Sequence, residues 1–493
     1  MRFRTCIRTG SKWSLLAAAL CAFAILATGC VQPLGPGYHF AGRQTEIRAT
    51  SDAPGKLHVR VVDHLENAGD RKLESLDVRL PQSPIFGTQN LRVTVEGKEI
   101  LPQNSSRIDR RMMREAFDPP WEQKQPREIV TEWDLNPGST ARGTVAASAN
   151  GFYIANETAL PLWQAPVGVF SVGGVDPDRE LLIVHVPADF RVLAPGEALK
   201  NHKALPGELA AQAFRIRPGR DFLPYVIAGR YQEQFASGRH GALSFWTFQP
   251  LDSGAAKTAA IRITSSLSAL TDFFGPAPKK QDAVHIVESS NDLPSEFGAT
   301  ADSAPGGASF PQGVLLDSRA ISQGIAAEAV LQLAEYEMAR TWFGWRVRPT
   351  PEAQILMGRG VGLFGLVIAA EARGSNQRRG MVLSLLDRYD AAQAIAPDKR
   401  LMEPPFGYSR EERISTAYRG ALFLVELEDL CGHNNLRSAF REITRTRAGA
   451  EAGYEELRSA LESASKRDLA DVFRNWLNRP GVPDEFRARY TRP

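Results

Sequence analysis

The sequence predicts an α+β protein in which an all-β half, of sandwich or saddle type, precedes a small sheet and a mostly helical remainder. From about residue 41 to 250, short runs alternate apolar and polar residues and are punctuated by Pro and Gly, as half-buried strands are. After about residue 251 the apolar spacing lengthens to the helical period. The chain has 493 residues, 43% of them hydrophobic, enough for two or three separate cores.

The first 29 residues carry Arg2, Arg4, Arg8 and Lys12 and no acidic residue. An apolar run from Leu15 to Leu26 follows, then Ala27-Thr28-Gly29-Cys30. A cationic start, a short apolar core and small residues at the cut make an export signal over 1–29. The core is about half the ~20 residues that a permanent bilayer-spanning helix needs. Residues 27–30 resemble the lipobox of bacterial lipoproteins, with Ala27 where that pattern most often has leucine. The resemblance implies lipidation of Cys30, an anchor and linker over 30–40, and a cell-envelope location. Val31 follows Cys30 where an aspartate would favour the inner membrane, so a host with two membranes would place the protein at the outer one. Taking the four signal charges from the formal +3 leaves −1, which argues against a nucleic-acid partner. The mature chain keeps Cys30 and Cys431, so no internal disulfide is expected once Cys30 carries lipid.

Within the β half, Leu57–Leu65 and Leu91–Val95 alternate as half-buried strands do, whereas Leu181–Val186 is a more continuous apolar run, expected to be covered on both faces. Thr258–Phe274 reads as an amphipathic helix and Ala283–Val287 as a strand. A Gly/Ser/Pro-rich loop over 301–313 leads into Val314–Leu316. Helices are expected over 325–342, 361–373, 379–394, 414–430, 435–446, 454–463 and 468–477. The division is a β domain over 41–250, an α/β subdomain over 251–375 and a helical subdomain over 376–493.

The segment Ala334-Glu335-Tyr336-Glu337-Met338-Ala339-Arg340-Thr341-Trp342-Phe343-Gly344 resembles the zinc helix of the gluzincin metallopeptidases related to membrane alanyl aminopeptidase and leukotriene A4 hydrolase. That family reads H-E-x-x-H, then x-W-F-G, with a glutamate eighteen residues after the second histidine. Anchored on Trp342-Phe343-Gly344, the ligand histidines fall on Tyr336 and Arg340, the catalytic glutamate on Glu337 and the third ligand on Arg359. Phe473–Pro483 resembles the family's segment closing the thermolysin-like domain, and Leu223–Tyr231 the end of its N-terminal β domain. The resemblance implies a thermolysin-like domain, with a degenerate zinc helix over 325–344, belonging to a member without zinc ligands. Two further elements depart from the family. Gly307–Gly313 matches the substrate loop G-x-M-E-N but carries Phe310 and Pro311, and the tyrosine of Y-x-K-G aligns with Ala417, or with Tyr418 after a slip of one.

Catalytic zinc needs three side chains with lone pairs and an open position for water. Arginine offers donors only, so Arg340 and Arg359 cannot ligate, and Tyr336 could do so only as a phenolate. No zinc is therefore expected, and no catalytic residue. Leu333, Glu337 and Arg340 share one helix face, where Glu337 with Arg340 and Arg359 could replace the metal by a charged cluster; the alternative is a solvated face. Gly360–Gly365 fits G-x-G-x-x-G, but its helical surroundings favour small residues at a tight helix start over a nucleotide site. His58 and His64, six apart on one strand, are a weak metal hint; no H-x-x-x-H pair and no G-x-S-x-G occur. Trp342 and Phe343 read as core, as do Trp163 and Trp246. The expected role is non-catalytic, with a peptide or protein ligand. An active metallopeptidase, aminopeptidase or other hydrolase with an unconventional site stays open as the alternative, as does a purely structural envelope component.

Overall fold

A computed structural model describes residues 38–491 except 50–54, 68–71, 80–87, 101–102, 105–111, 137–144, 156–161, 164–179, 200–208, 217–224, 278–282, 291–292, 294–305 and 406. The signal, Cys30 and the tether lie outside the described residues. The molecule is a mixed α/β protein with a sheet-rich N-terminal part and a mostly helical C-terminal part, built in layers that strand alternation dictates.

The outermost layer is an eight-stranded sheet. Tyr38–Ala49 lies at its centre, parallel to Glu180–Val186 and antiparallel to Leu57–Asn67, which pairs in turn with Pro126–Leu135. Inward residues Ile47, Val59, Val61, Leu182 and Val184 are buried against Phe152, Ile154, Val226 and Ala228 of a four-stranded second sheet. The outward row is polar and charge-paired: His58 lies 2.9 Å from Asp134, and Arg60 2.8 Å from Glu132. Six residues of strand separate His58 from His64 by roughly 20 Å, too far to share an ion. Glu180–Val186 is not covered on both faces. Leu181, Ile183 and His185 are only half-buried, because they belong to that outward row.

Period two sends the alternate residues of the second sheet the other way. Tyr153, Tyr225 and Ile227 pack with Trp246, Val287, Phe310 and Leu315 of a third layer. That layer is a five-stranded sheet in the order Gln232–Gly238, Gly241–Thr247, Ala283–Glu288, Gly313–Leu316, Gly307–Phe310. Its first two strands fall within the range 41–250 that the sequence assigned to the β domain. The edge strand Gly307–Phe310 falls in what the composition marks as loop; its small residues carry no strand signature.

The far face of this sheet, Leu243, Phe245, Ile286, Val314 and Leu316, joins the helical core. The helices are α1 (Ser253–Phe274), α2 (Ser318–Gln323), α3 (Glu328–Arg340), α4 (Val361–Glu371, entered through a π-helical turn Gln354–Gly360), α5 (Ser375–Ile395), α6 (Arg410–Cys431), α7 (His433–Thr446), α8 (Tyr454–Ser465), α9 (Ala470–Asn478) and α10 (Asp484–Thr491). Asp252 caps α1 by accepting from the Ala255 N–H at 2.8 Å, and Ser409 with Glu412 forms a capping box on α6. Trp342 and Phe343 are fully buried in this core. The run Pro351–Glu371 is long and apolar enough to cross a membrane by composition, but 83% of its apolar window is buried inside the fold.

One buried charge in the outer sheet gives a pH prediction. Arg43 donates to both oxygens of Asp63, at 2.5 and 3.0 Å, and is committed there. Glu180, paired laterally with Arg43, is 4% exposed, and burial pushes its carboxyl up to about 7 despite the Arg43 charge. A carboxyl with a raised folded value holds its proton longer in the folded state than in the unfolded one. Its contribution is therefore present below pH 4.5 and lost as pH climbs to about 7, roughly 3 kcal/mol in all. Glu180→Gln should match wild type in urea midpoint at pH 4.5 and exceed it at pH 8. Equal midpoints at both would contradict the burial.

Candidate functional site

The site is built on α3, whose residues diverge in pairs because i and i+2 lie on nearly opposite helix faces. Glu335 turns toward α1 and is fully buried. It accepts from Arg262 Nε at 2.9 Å, Ser266 Oγ at 2.6 Å and Arg373 Nη1 at 2.9 Å. Every one of these partners ties α3 to a neighbouring helical element. Glu335 is therefore part of the scaffold, and nothing in the motif signals it.

Glu337 turns instead toward the junction with the β part, and its side chain is 1% exposed. It does not form a solvated face. Arg340, one turn on, places Nη1 3.1 and 3.0 Å from the two Glu337 oxygens. The same guanidinium lies 5.4 Å from the centre of the Tyr336 ring, within cation–π reach. Tyr336 is buried at 1% exposure, while Arg340 keeps a quarter of its side chain in solvent. Tyr153 reaches the group from the second sheet. Burial first, and then the Glu337 carboxylate, push its hydroxyl well above the ordinary tyrosine value, so it stays a neutral phenol. Tyr153 was not legible as a site residue, since only the stacking of the two sheets brings it there.

The floor is the edge strand Gly307–Phe310. A Cβ on Gly307 would stand 3.1 Å from Glu337 Cγ and 3.3 Å from Leu333 Cδ1, so glycine permits the close approach. Trp345 Nε1 donates to the Ser309 carbonyl at 3.0 Å, which occupies that strand's outward acceptor. Phe310 is fully buried, 5.4 Å from the Tyr225 ring, and Pro311 is buried beside it. Both side chains pack and neither offers a polar group.

Glycines explain how α4 reaches α3. A Cβ on Gly362 would sit 2.6 Å from Tyr336 Cε2 and 2.8 Å from Arg340 Cγ, and one on Gly365 would run into Ala339 Cβ. The G-x-G-x-x-G run thus follows a π-helical turn, not a strand, and serves helix–helix contact. Arg359 lies half-buried on that π-helical turn. Ala417 and Tyr418, on α6, are 4% and 1% exposed.

The adjoining Arg419 is fully buried and ionic. Its Nη1 donates to Asp398 Oδ2 at 2.6 Å and to the Lys399 carbonyl at 3.1 Å, and Nη2 donates to the Trp476 carbonyl. Asp398 also accepts from the Gly481 N–H at 3.1 Å and the Tyr389 hydroxyl at 3.3 Å. The segment Phe473–Pro483 is thus moored to α6 by a buried ion pair.

As a donor set for a divalent cation, Tyr336, Arg340 and Arg359 do not fit. Two have no lone pair, and the Arg340 guanidinium already lies on both oxygens of the carboxylate that would activate a water.

No family model and no curated protein matches the chain. Solved structures do. An M1 zinc metallopeptidase from Deinococcus radiodurans superposes with a TM-score of 0.59 at 16% identity, covering 91% of this chain and 96% of that one. A mutant form of it bound to a Tyr-Ser-Ala substrate gives 0.60 at 15%, with the same coverage. At such identity the likeness is one of fold: this chain has the two-domain architecture of M1 zinc metallopeptidases, which are gluzincins.

Proposed function

We propose that the chain is an exported lipoprotein, held at a bacterial membrane through Cys30, that keeps an aminopeptidase-like fold without its zinc chemistry and binds a peptide or protein in the cell envelope. The observation that carries this reading is the Arg340 guanidinium on both oxygens of Glu337, in the helix whose motif elsewhere holds the metal. A buried acid paired this way is satisfied by a fixed cation and needs no exchangeable one. With no water-activating metal at α3, what the fold retains is a junction between two domains, and the role left to it is recognition. Nucleic acid and nucleotide have no part in this reading.

Purified full chain should release no chromophore from amino-acid 4-nitroanilides above the level of the Glu337→Gln variant. Turnover that Glu337→Gln abolishes would overturn the proposal in favour of an active hydrolase. Anchoring has its own test. Cys30→Ser should shift the protein from the membrane to the soluble envelope fraction, and a variant that stays with the membrane would refute lipidation. In-cell crosslinking should then recover a specific partner; recovery of none would favour a structural component.

A further inference from the structure

Among the described residues, one group of His, Cys, Asp or Glu side chains brings three potential ligand atoms within 4.8 Å of one another: Glu371, Glu428 and His433. They come from three helix ends, the last residue of α4, the last turn of α6 and the first residue of α7. His433 Nδ1 lies 2.8 Å from Glu428 Oε1 and 3.5 Å from Glu371 Oε2. Ligand atoms on a tetrahedral ion at bond lengths of about 2.0–2.2 Å are roughly 3.3–3.5 Å apart, so small side-chain shifts would close the site.

Two observations distinguish this group from an ordinary acidic patch. Glu371 Oε2 is buried from solvent, although the rest of its side chain is 37% exposed, and no donor reaches it in hydrogen-bonding geometry: His433 Nδ1 stands at 3.5 Å and Arg378 Nε at 3.8 Å. A buried carboxylate oxygen with no donor in hydrogen-bonding geometry is an under-satisfied acceptor. Glu428, 5% exposed, has its second oxygen fixed by Arg378 Nη2 at 2.6 Å, so Oε1 remains directed at the histidine. A ligating carboxylate whose outer oxygen is hydrogen-bonded is the usual support for a metal site. The surrounding charges balance as well. Arg378 is shared among Glu428 at 2.6 Å, Asp429 at 3.4 Å and Glu371 at 3.8 Å, and Asp429 is bound in turn by the Tyr490 hydroxyl. Three carboxylates against one guanidinium leave a formal charge of −2, which a dication beside a neutral imidazole would balance. The Phe273 ring stands edge-on to His433 at 5.2 Å and fixes its plane.

We infer that Glu371, Glu428 and His433 form a binding site for a divalent transition cation, zinc foremost, which clips together the ends of α4, α6 and α7. One imidazole with two carboxylates suits zinc over magnesium or calcium, and three protein ligands leave a fourth position for water. The site is separate from the one on α3. Glu371 lies nine residues along α4 from Gly362, the residue packed on Tyr336 and Arg340, or about 14 Å. The inference stands whether or not the functional reading above is right. The competing arrangement is a protonated His433 that serves both carboxylates without any metal.

Full-length protein stripped with a chelator should take up one equivalent of Zn²⁺ in calorimetric titration, and zinc should raise its melting temperature. Co²⁺ should give the visible bands of a four- or five-coordinate site without a thiolate transition, since Cys431 is buried on α6 and bonded toward Ser465. His433→Gln should weaken zinc at least tenfold and remove the melting shift. Glu371→Gln, at a more exposed position than Glu428, should do the same and guards against a folding defect in the first variant. Glu337→Gln should leave zinc binding unchanged. Failure to saturate at one equivalent, or affinity unaltered by His433→Gln and Glu371→Gln, would overturn the site. Loss of the ion in Glu337→Gln alone would place it on α3 and overturn both this site and the zinc-free reading of that helix.

Discussion

Arg340→Ala is expected to destabilise the protein by about 3 kcal/mol, the lower end of the range for breaking a buried ion pair. Glu337 has a side chain 1% exposed, and the substitution takes away the guanidinium that spans both its oxygens. Arg340 itself is 25% exposed, and solvent at its outer edge trims the effect from the upper end of the range. Adding Glu337→Gln to Arg340→Ala should restore most of the loss, because a neutral amide tolerates the site without a cation. Urea midpoints of the two single variants and the double variant make a closed cycle. Additive effects would show that the two side chains do not interact, and the case for a fixed cation at α3 would fall with them.

Asp398→Ala should cost more, about 4–5 kcal/mol, because its partner Arg419 has no exposed surface at all. Four contacts go at once: the ion pair, the Gly481 N–H, the Tyr389 hydroxyl and the Gln393 side-chain amide. Against a total stability of about 5–15 kcal/mol for a typical fold, that loss is a large share. Residues 476–491 should loosen first, so limited proteolysis should trim the variant's C-terminus under conditions where wild type resists. Asp398→Asn should lose less, since the amide oxygen can still accept from Arg419. A proteolysis pattern like that of wild type would show that the segment does not depend on Asp398 for its hold.

How much of this was legible in the sequence varies with the physical cause. Strand alternation and helical period marked the succession of sheet-rich and helical parts along the chain, because burial writes directly into spacing. Leu57–Asn67 and Arg410–Cys431 each extend a predicted element by a few residues at most. Positions at the site were found through the W-F-G anchor, which puts Glu337 and Arg340 a turn apart. What lay across the junction was not legible. Tyr153 comes from a strand more than 180 residues earlier, and no local pattern marks a residue as facing a second domain. Edge strand Gly307–Phe310 hid behind small residues chosen for close approach. Glu371, Glu428 and His433 were missed for a similar reason, since their ligand spacing exists only between helix ends.

The sharing of strands between halves governs how the molecule could be divided. A cut at residue 251 would strip Leu243 and Phe245 from the helical core and leave the side of Ala283–Glu288 without its hydrogen-bonded neighbour. Such a fragment would present a raw β edge and an uncovered apolar row, the makings of aggregation. A break just ahead of Gln232 would instead keep that five-stranded unit whole, with Tyr231 and its hydroxyl bond to the Glu288 carbonyl as the last rivet to give up.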